Sequence, residues 1–202
     1  MSQRSTRNRP KHYRKTEQTR EYVFKTAMEV MSRDGYNNTT IRKICKEADI
    51  SIGTFYNYFD SKSDVILSIC EQFVNEAIEK VSTEINGENA FKKISRFFKI
   101  YAQMNYNTGL ERLKILYNTD EGWHGEKWQQ IVQPLYSKLI EIITVAQKHG
   151  EINTLYSADE LSKLLLIYAR GVCYDWCIHK GEYDIQKQME KCIDIVLTYA
   201  TT

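Results

Sequence analysis

Between Thr39 and Lys62 the chain reads TTIRKICKEADISIGTFYNYFDSK, and few folds accommodate that stretch. Thr40 and Ser51 each stand just ahead of an apolar run. There a hydroxyl can accept a backbone N–H left orphaned in the first turn of a helix. The first run places Ile41, Ile44, Cys45 and Ala48 on one helical face, and the second places Phe55, Tyr56 and Phe59 together. Ala48-Asp49-Ile50 between them is too short for anything but a sharp corner, with the apolar Ile50 plugging the angle. Two short helices joined in this way form a helix-turn-helix, whose second helix is commonly offered to the DNA major groove.

The side chains of that second helix suit the task. Gly53 lets backbone approach DNA, and Thr54 can meet a base edge or a thymine methyl. Asn57 lies three residues on, on the same face, and an Asn amide pairs with adenine in a bidentate way. The hydroxyls of Tyr56 and Tyr58 can reach phosphates, whereas Phe55 and Phe59 read as core.

The pattern Thr-Ile-x-x-Ile-x-x-x-Ala-x-Ile-Ser-x-Gly-Thr-Phe-Tyr-x-Tyr-Phe-x-Ser-Lys, beginning at Thr40, closely resembles the DNA-binding segment of TetR-family transcriptional regulators. The resemblance is specific over residues 16–67 and only architectural beyond them. It implies phosphate contacts at Thr40, Tyr56, Tyr58 and Lys62, and a base-reading face from Ile52 to Asn57 with Ser51 at its cap. One position departs from the pattern: Asp49 stands where the family often has Gly. Asp tolerates a left-handed backbone, so the turn survives at modest cost.

Charge is unevenly spread around a net +2. Residues 1–63 carry 13 Lys/Arg against 7 Asp/Glu, and residues 64–202 carry 15 against 19. Residues 1–15 hold six bases and no acid, while residues 16–63 hold seven of each. The helix-turn-helix itself is therefore neutral, and the attraction to DNA sits ahead of it. Residues 1–15 are expected to form a flexible arm. It is either a solvated basic tail or a DNA contact through Arg9, Lys11 and Arg14, lying along phosphates or entering the minor groove.

Residues 16–62 are expected to form the DNA-binding domain and residues 63–202 an effector-binding and dimerisation domain. Val23, Phe24, Ala27, Met28 and Met31 stripe the first helix, which Gly35 ends. Ser61-Lys62-Ser63-Asp64 reads as a capping box opening a helix of about 24 residues, ~36 Å long. That helix is either a lever between domains or simply a long core element. Thr108-Gly109-Leu110-Glu111 and Ser157-Ala158-Asp159-Glu160 read as further capping boxes, and Asp184 as the last cap. Pro134 is expected to bend or restart a helix. No strand-like alternation appears, so the chain is expected to be all-α, with about nine helices.

Aromatic residues crowd the middle of the chain and beyond: Phe98, Tyr101, Tyr106, Trp123, Trp128, Tyr136, Tyr168 and Trp176 among them. They are either core or the lining of an effector cavity. Asp175 could anchor a donor or cation there, or pair with Arg170 or Arg112. The TetR resemblance implies a small-molecule effector among these helices and a homodimer through the last two. Leu161, Leu165 and Val172 of the penultimate helix and Met189, Ile193 and Val196 of the last are the expected interface. A two-fold dimer would set its recognition helices ~34–36 Å apart on palindromic double-stranded operator DNA.

Other classes fare poorly. There is no Gly-rich phosphate loop, His-x-x-x-His, Cys-x-x-Cys or nucleophile elbow, and His12, His124, His149 and His179 are scattered. No catalytic residue, cofactor or metal is expected. No apolar run approaches the ~18 residues of a membrane span, and the basic start has no apolar stretch behind it. Five cysteines, an odd number, are expected to be reduced in the cytoplasm, with Cys173 and Cys177 as core thiols rather than metal ligands or redox sensors. The chain is thus expected to be a regulator, most simply a repressor released by an effector. An effector-independent activator or DNA organiser of the same fold is the alternative. A helical small-molecule-binding protein or enzyme with an incidental basic arm is the reading from another class.

Overall fold

A computed structural model describes residues 11–85, 89–118 and 126–200. Among these there are nine α-helices and no strand: α1 (Lys11–Asp34), α2 (Ile41–Glu47), α3 (Ile52–Tyr56), α4 (Lys62–Glu84), α5 (Ala90–Thr108), α6 (Leu110–Asn118), α7 (Glu126–Lys148), α8 (Ala158–Ile178) and α9 (Ile185–Ala200). The chain divides into two compact units, one ending at Ile66 and one beginning at Leu67, so the boundary falls inside α4.

The first unit is built on α1, whose Val23, Ala27, Val30 and Met31 are buried. Ile44, Cys45 and Ala48 of the α2 region and Phe55 and Phe59 from α3 onward complete its core. Helix α1 begins at Lys11 rather than Thr16, so Lys11 and Arg14 belong to a helix and not to a flexible arm. Periodicity could not locate that start, because the added turn carries no apolar stripe and rests on the good helix propensity of Lys and Arg. At its other end Arg33 pairs with Asp34 and with Glu47 on α2, and Lys43 pairs with Asp34 at 2.8 Å. The Arg33 and Lys43 hydrogen bonds hold the Asp34 carboxyl well below the usual carboxylate range.

In the second unit α5 is central, packing against α9, α7, α6 and α8. Its Ile94, Phe97, Phe98 and Ala102 are sealed from solvent. Two expectations change here. Helix α7 runs unbroken through Pro134. The proline is exposed, as is Gln130, whose carbonyl loses its partner, so solvent can satisfy the gap. Thr108 does not open a capping box: its hydroxyl donates to the Met104 carbonyl at 3.0 Å, and it is the last residue of α5. Gly109, at φ 87°, makes the turn into α6. The Ser157–Glu160 capping box is present in full, and the Asp184 carboxylate accepts from the Gln186 and Lys187 N–H groups.

Candidate nucleic-acid interface and effector region

The helix-turn-helix closes as its caps require. The Thr40 hydroxyl accepts from Lys43 N–H, and the Ser51 hydroxyl accepts from Thr54 N–H at 3.0 Å. Asp49 between them sits at φ 50°, the left-handed region. A β-branched residue there would crowd the following carbonyl. Asp49→Val is therefore expected to lower the melting stability of the first unit by roughly 1–2 kcal/mol, read by chemical denaturation.

Helix α3 is only five residues long and Asn57 forms its C-cap, so the recognition helix is shorter than the apolar pattern suggested. Phe55 and Phe59 are buried beneath it, their ring centroids 5.8 Å apart. Ser51, Ile52, Gly53, Tyr56 and Asn57 are left exposed, and Thr54 and Tyr58 half-buried. The Thr54 hydroxyl shares a 2.8 Å hydrogen bond with the Ser51 hydroxyl. A Cβ on Gly53 would meet nothing closer than the Ser51 Oγ at 3.7 Å, and no positive φ calls for glycine. The chain's own packing thus gives no reason for a glycine at that position.

Lys62 has partners within its own chain. It is half-buried, its Nζ donates to the Tyr36 and Thr39 carbonyls, and it lies 3.9 Å over the Tyr36 ring. A cation at the start of a helix opposes the dipole, and those two carbonyls compensate for it. Lys62→Met is expected to lower first-unit stability by about 1.5–3 kcal/mol. The salt dependence of operator binding should stay unchanged, whereas a slope smaller by ~0.9 would place the ammonium on a phosphate.

Two cations that sequence reasoning passed over remain on α2. Arg42 and Lys46 are exposed, lie four residues apart on one face, and form no ion pair among the described residues. The signal was available: Arg33 and Lys43 take up Asp34 and Glu47, and a neutral count hides two unpaired bases. Arg9 lies outside the described residues, as do the side chains of Lys11 and Arg14.

In the second unit the aromatic residues separate into three places. Tyr101, Trp128 and Tyr136 come together with Leu135, Leu166 and Arg170 around a cavity of about 50 Å3. The Tyr136 hydroxyl donates to the Asp159 carboxylate at 2.7 Å, and burial with that hydrogen bond pushes its pKa up to about 12. Phe98 is wholly buried against Phe97 and Tyr101 and is core. Trp176 is buried apart from the cavity, its ring 6.1 Å from that of the exposed Tyr106 and its Nε1 donating to the Tyr183 carbonyl. Trp123 lies outside the described residues.

Tyr168 and Asp175 belong to the third place, an open groove of about 410 Å3 along α8 and α9 that also includes Ile167, Gly171 and Cys192. Asp175 accepts from the Tyr183 hydroxyl at 2.9 Å and faces His179, not Arg170 or Arg112. Leu164, Ile167, Tyr168 and Ile178 form an exposed stripe on α8, and Ile195 is exposed on α9. Of the six residues expected at a dimer interface, Leu161, Leu165, Val172, Met189 and Ile193 are buried inside the chain's own bundle, and Val196 is half-buried. Helix α8 carries two apolar stripes, and the sequence does not say which one faces inward.

Cys70, Cys173 and Cys177 are buried free thiols, and burial raises all three, Cys70 to about 12 and Cys177 to about 11. No cluster suited to a metal ion occurs among the described residues. No helix among them is long and apolar enough to cross a membrane.

Residues 23–69 match the family of bacterial regulatory proteins, tetR family. An uncharacterized HTH-type transcriptional regulator of Bacillus subtilis, YvdT, is 29% identical over 133 residues, 65% of this chain and 69% of its own length. The FadR transcriptional regulator from Bacillus subtilis, solved in complex with stearoyl-CoA, superposes with a TM-score of 0.70 at 19% identity, covering 87% of this chain and 96% of that one. The Thermus thermophilus FadR repressor in complex with lauroyl-CoA gives 0.67 at 22% identity, covering 88% and 93%. With a capped helix-turn-helix on the matching segment and an all-helical second unit following it, the chain carries a DNA-binding segment of the TetR family of transcriptional regulators.

Proposed function

We propose that this ligand-responsive repressor acts in the cytoplasm as a homodimer on palindromic operator DNA, and that an apolar effector entering the second unit releases it. The observation that carries the reading is the exposed face Ile52–Asn57, held up by two buried phenylalanines and otherwise unused by the fold. Gly53, Thr54 and Asn57 read bases. Thr40, Tyr56, Tyr58 and the α2 cations Arg42 and Lys46 take phosphates, and Arg9, Lys11 and Arg14 add attraction at the start of the chain. Lys62 serves the site by fixing the loop before α2.

The exposed stripe on α8, with Ile195 of α9, is the surface for a second copy of the chain. The aromatic cavity near Tyr101 and Trp128 supports an apolar effector, and so do FadR structures that hold long-chain acyl-CoA molecules. Helix α4, the segment by which the chain passes from one unit into the other, carries the signal. Effector and operator then oppose one another reciprocally.

Selection from random duplex DNA tests the reading. It should return a palindrome with half-sites ~34–36 Å apart, and the complex should dissociate when long-chain acyl compounds are added. Recovery of no preferred sequence would defeat the operator, and a complex indifferent to every apolar compound would defeat the effector.

A further inference from the structure

Arg170 is an arginine of the second unit that no carboxylate among the described residues of its own chain meets. It is half-buried on α8 and lines the cavity walled by Tyr101, Trp128, Leu135 and Leu166. Among the described residues its guanidinium has no ion pair and no hydrogen bond. Among the other arginines with described side chains, Arg33 and Arg96 hold carboxylates, Arg20 lies over the Phe59 ring, and Arg112 donates to the Thr108 carbonyl at 2.8 Å while its buried Nε has no partner among the described residues. Arg42 has no partner either, but it stands in water. The acid tied to the cavity wall, Asp159, is already taken by the Tyr136 hydroxyl at 2.7 Å and the Lys163 ammonium at 2.6 Å.

The Arg170 guanidinium is half-buried, so an anion meeting it beside those apolar walls gains a charge-assisted contact at lower dielectric than in bulk water. Its flat fork of N–H donors matches the paired oxygens of a carboxylate or phosphate. The cavity is also small. At about 50 Å3 it is roughly a third of the ~150 Å3 cavity that holds a benzene-sized molecule. It admits an oxyanion group but no long apolar body unless side chains of α7 and α8 part. Its field reaches the Tyr101 and Tyr117 phenols, where it opposes the rise that burial imposes on both.

We propose that Arg170 receives the oxyanion end, carboxylate or phosphate, of an effector whose remainder is apolar, in the cavity between α5, α7 and α8. The assignment rests on the effector-controlled reading and adds the charge that the effector must carry. A neutral apolar molecule would fill the aromatic walls and leave the guanidinium without a partner.

Titration of the intrinsic tryptophan fluorescence of the full chain with dodecanoate, lauroyl-CoA and dodecanol tests this. Dodecanoate or lauroyl-CoA should bind at least roughly tenfold more tightly than dodecanol. Which of the two binds better tells a carboxylate from a phosphate-bearing source. Arg170→Gln should abolish the preference while leaving dodecanol affinity and basal operator binding unchanged, and Arg170→Lys should keep part of it. Binding of all three probes with equal affinity, or a preference that survives in R170Q, would overturn the Arg170 assignment and leave the apolar effector standing. Failure of all three probes to bind would overturn both.

Discussion

Phe55→Ala is expected to abolish operator binding by loosening the recognition helix from its support, at a cost of about 3–5 kcal/mol. Phe55 is wholly buried, with the Tyr56 and Phe59 rings each 5.8 Å away. Helix α3 has five residues, far below the length at which a helix holds itself in water. Its shape therefore depends on the ring beneath it and on the Ser51 cap. The unit it belongs to ends at Ile66, and so small a domain has only a few kcal/mol of stability to lose.

Thermal unfolding followed by circular dichroism should show an early transition in F55A that the wild type lacks, and gel-shift titration should show no operator complex. Ile52→Ala serves as the comparison, because Ile52 is 42% exposed and its loss should move stability by less than ~0.5 kcal/mol. Wild-type stability in F55A together with lost binding would mean that the ring meets DNA rather than the core.

The first unit was legible in the sequence because short-range chemistry decides it. Thr40 and Ser51 cap the helices they precede, Asp49 takes the left-handed turn, and Phe55 and Phe59 are buried. The caps and the turn depend on neighbours within a few residues, while the phenylalanines are apolar enough to be read as core whatever covers them. The hydrogen bonds of Lys62 were not legible, because its partners, the Tyr36 and Thr39 carbonyls, are more than twenty residues away and no local pattern records them.

The second unit was legible as helices but not as surfaces. Periodicity states that α8 is apolar on two sides and is silent on which side α5, α7 and α9 occupy. Aromatic count likewise could not separate Phe98, sealed in the core, from Tyr101 at a cavity or Tyr168 on an open face. Hydrophobicity is shared by all three roles. Only packing distinguishes them.

That distinction sets the second large effect. The pair Ile167→Asp and Ile178→Asp is expected to yield a folded monomer, because both residues are more than half exposed and neither supports the chain's own core. In a two-fold dimer each aspartate would be desolvated against the partner copy without a counter-charge, which an apolar interface does not tolerate. Leu165→Asp makes the opposite case. Leu165 lies on the same helix but is wholly buried, so the charge falls inside the bundle and the second unit should unfold rather than dissociate cleanly.

Sedimentation velocity and circular dichroism separate the two outcomes. The double variant should sediment as one chain with native helicity, and L165D should lose helicity. A monomer also loses the second half-site, whose binding in the dimer is intramolecular, so operator affinity should fall by roughly 10²–10⁴-fold while half-site contacts persist. A dimeric I167D/I178D protein would move the interface off this stripe. The residues buried in the bundle could not replace it, since Leu161, Leu165, Met189 and Ile193 already spend their apolar surface on the chain itself.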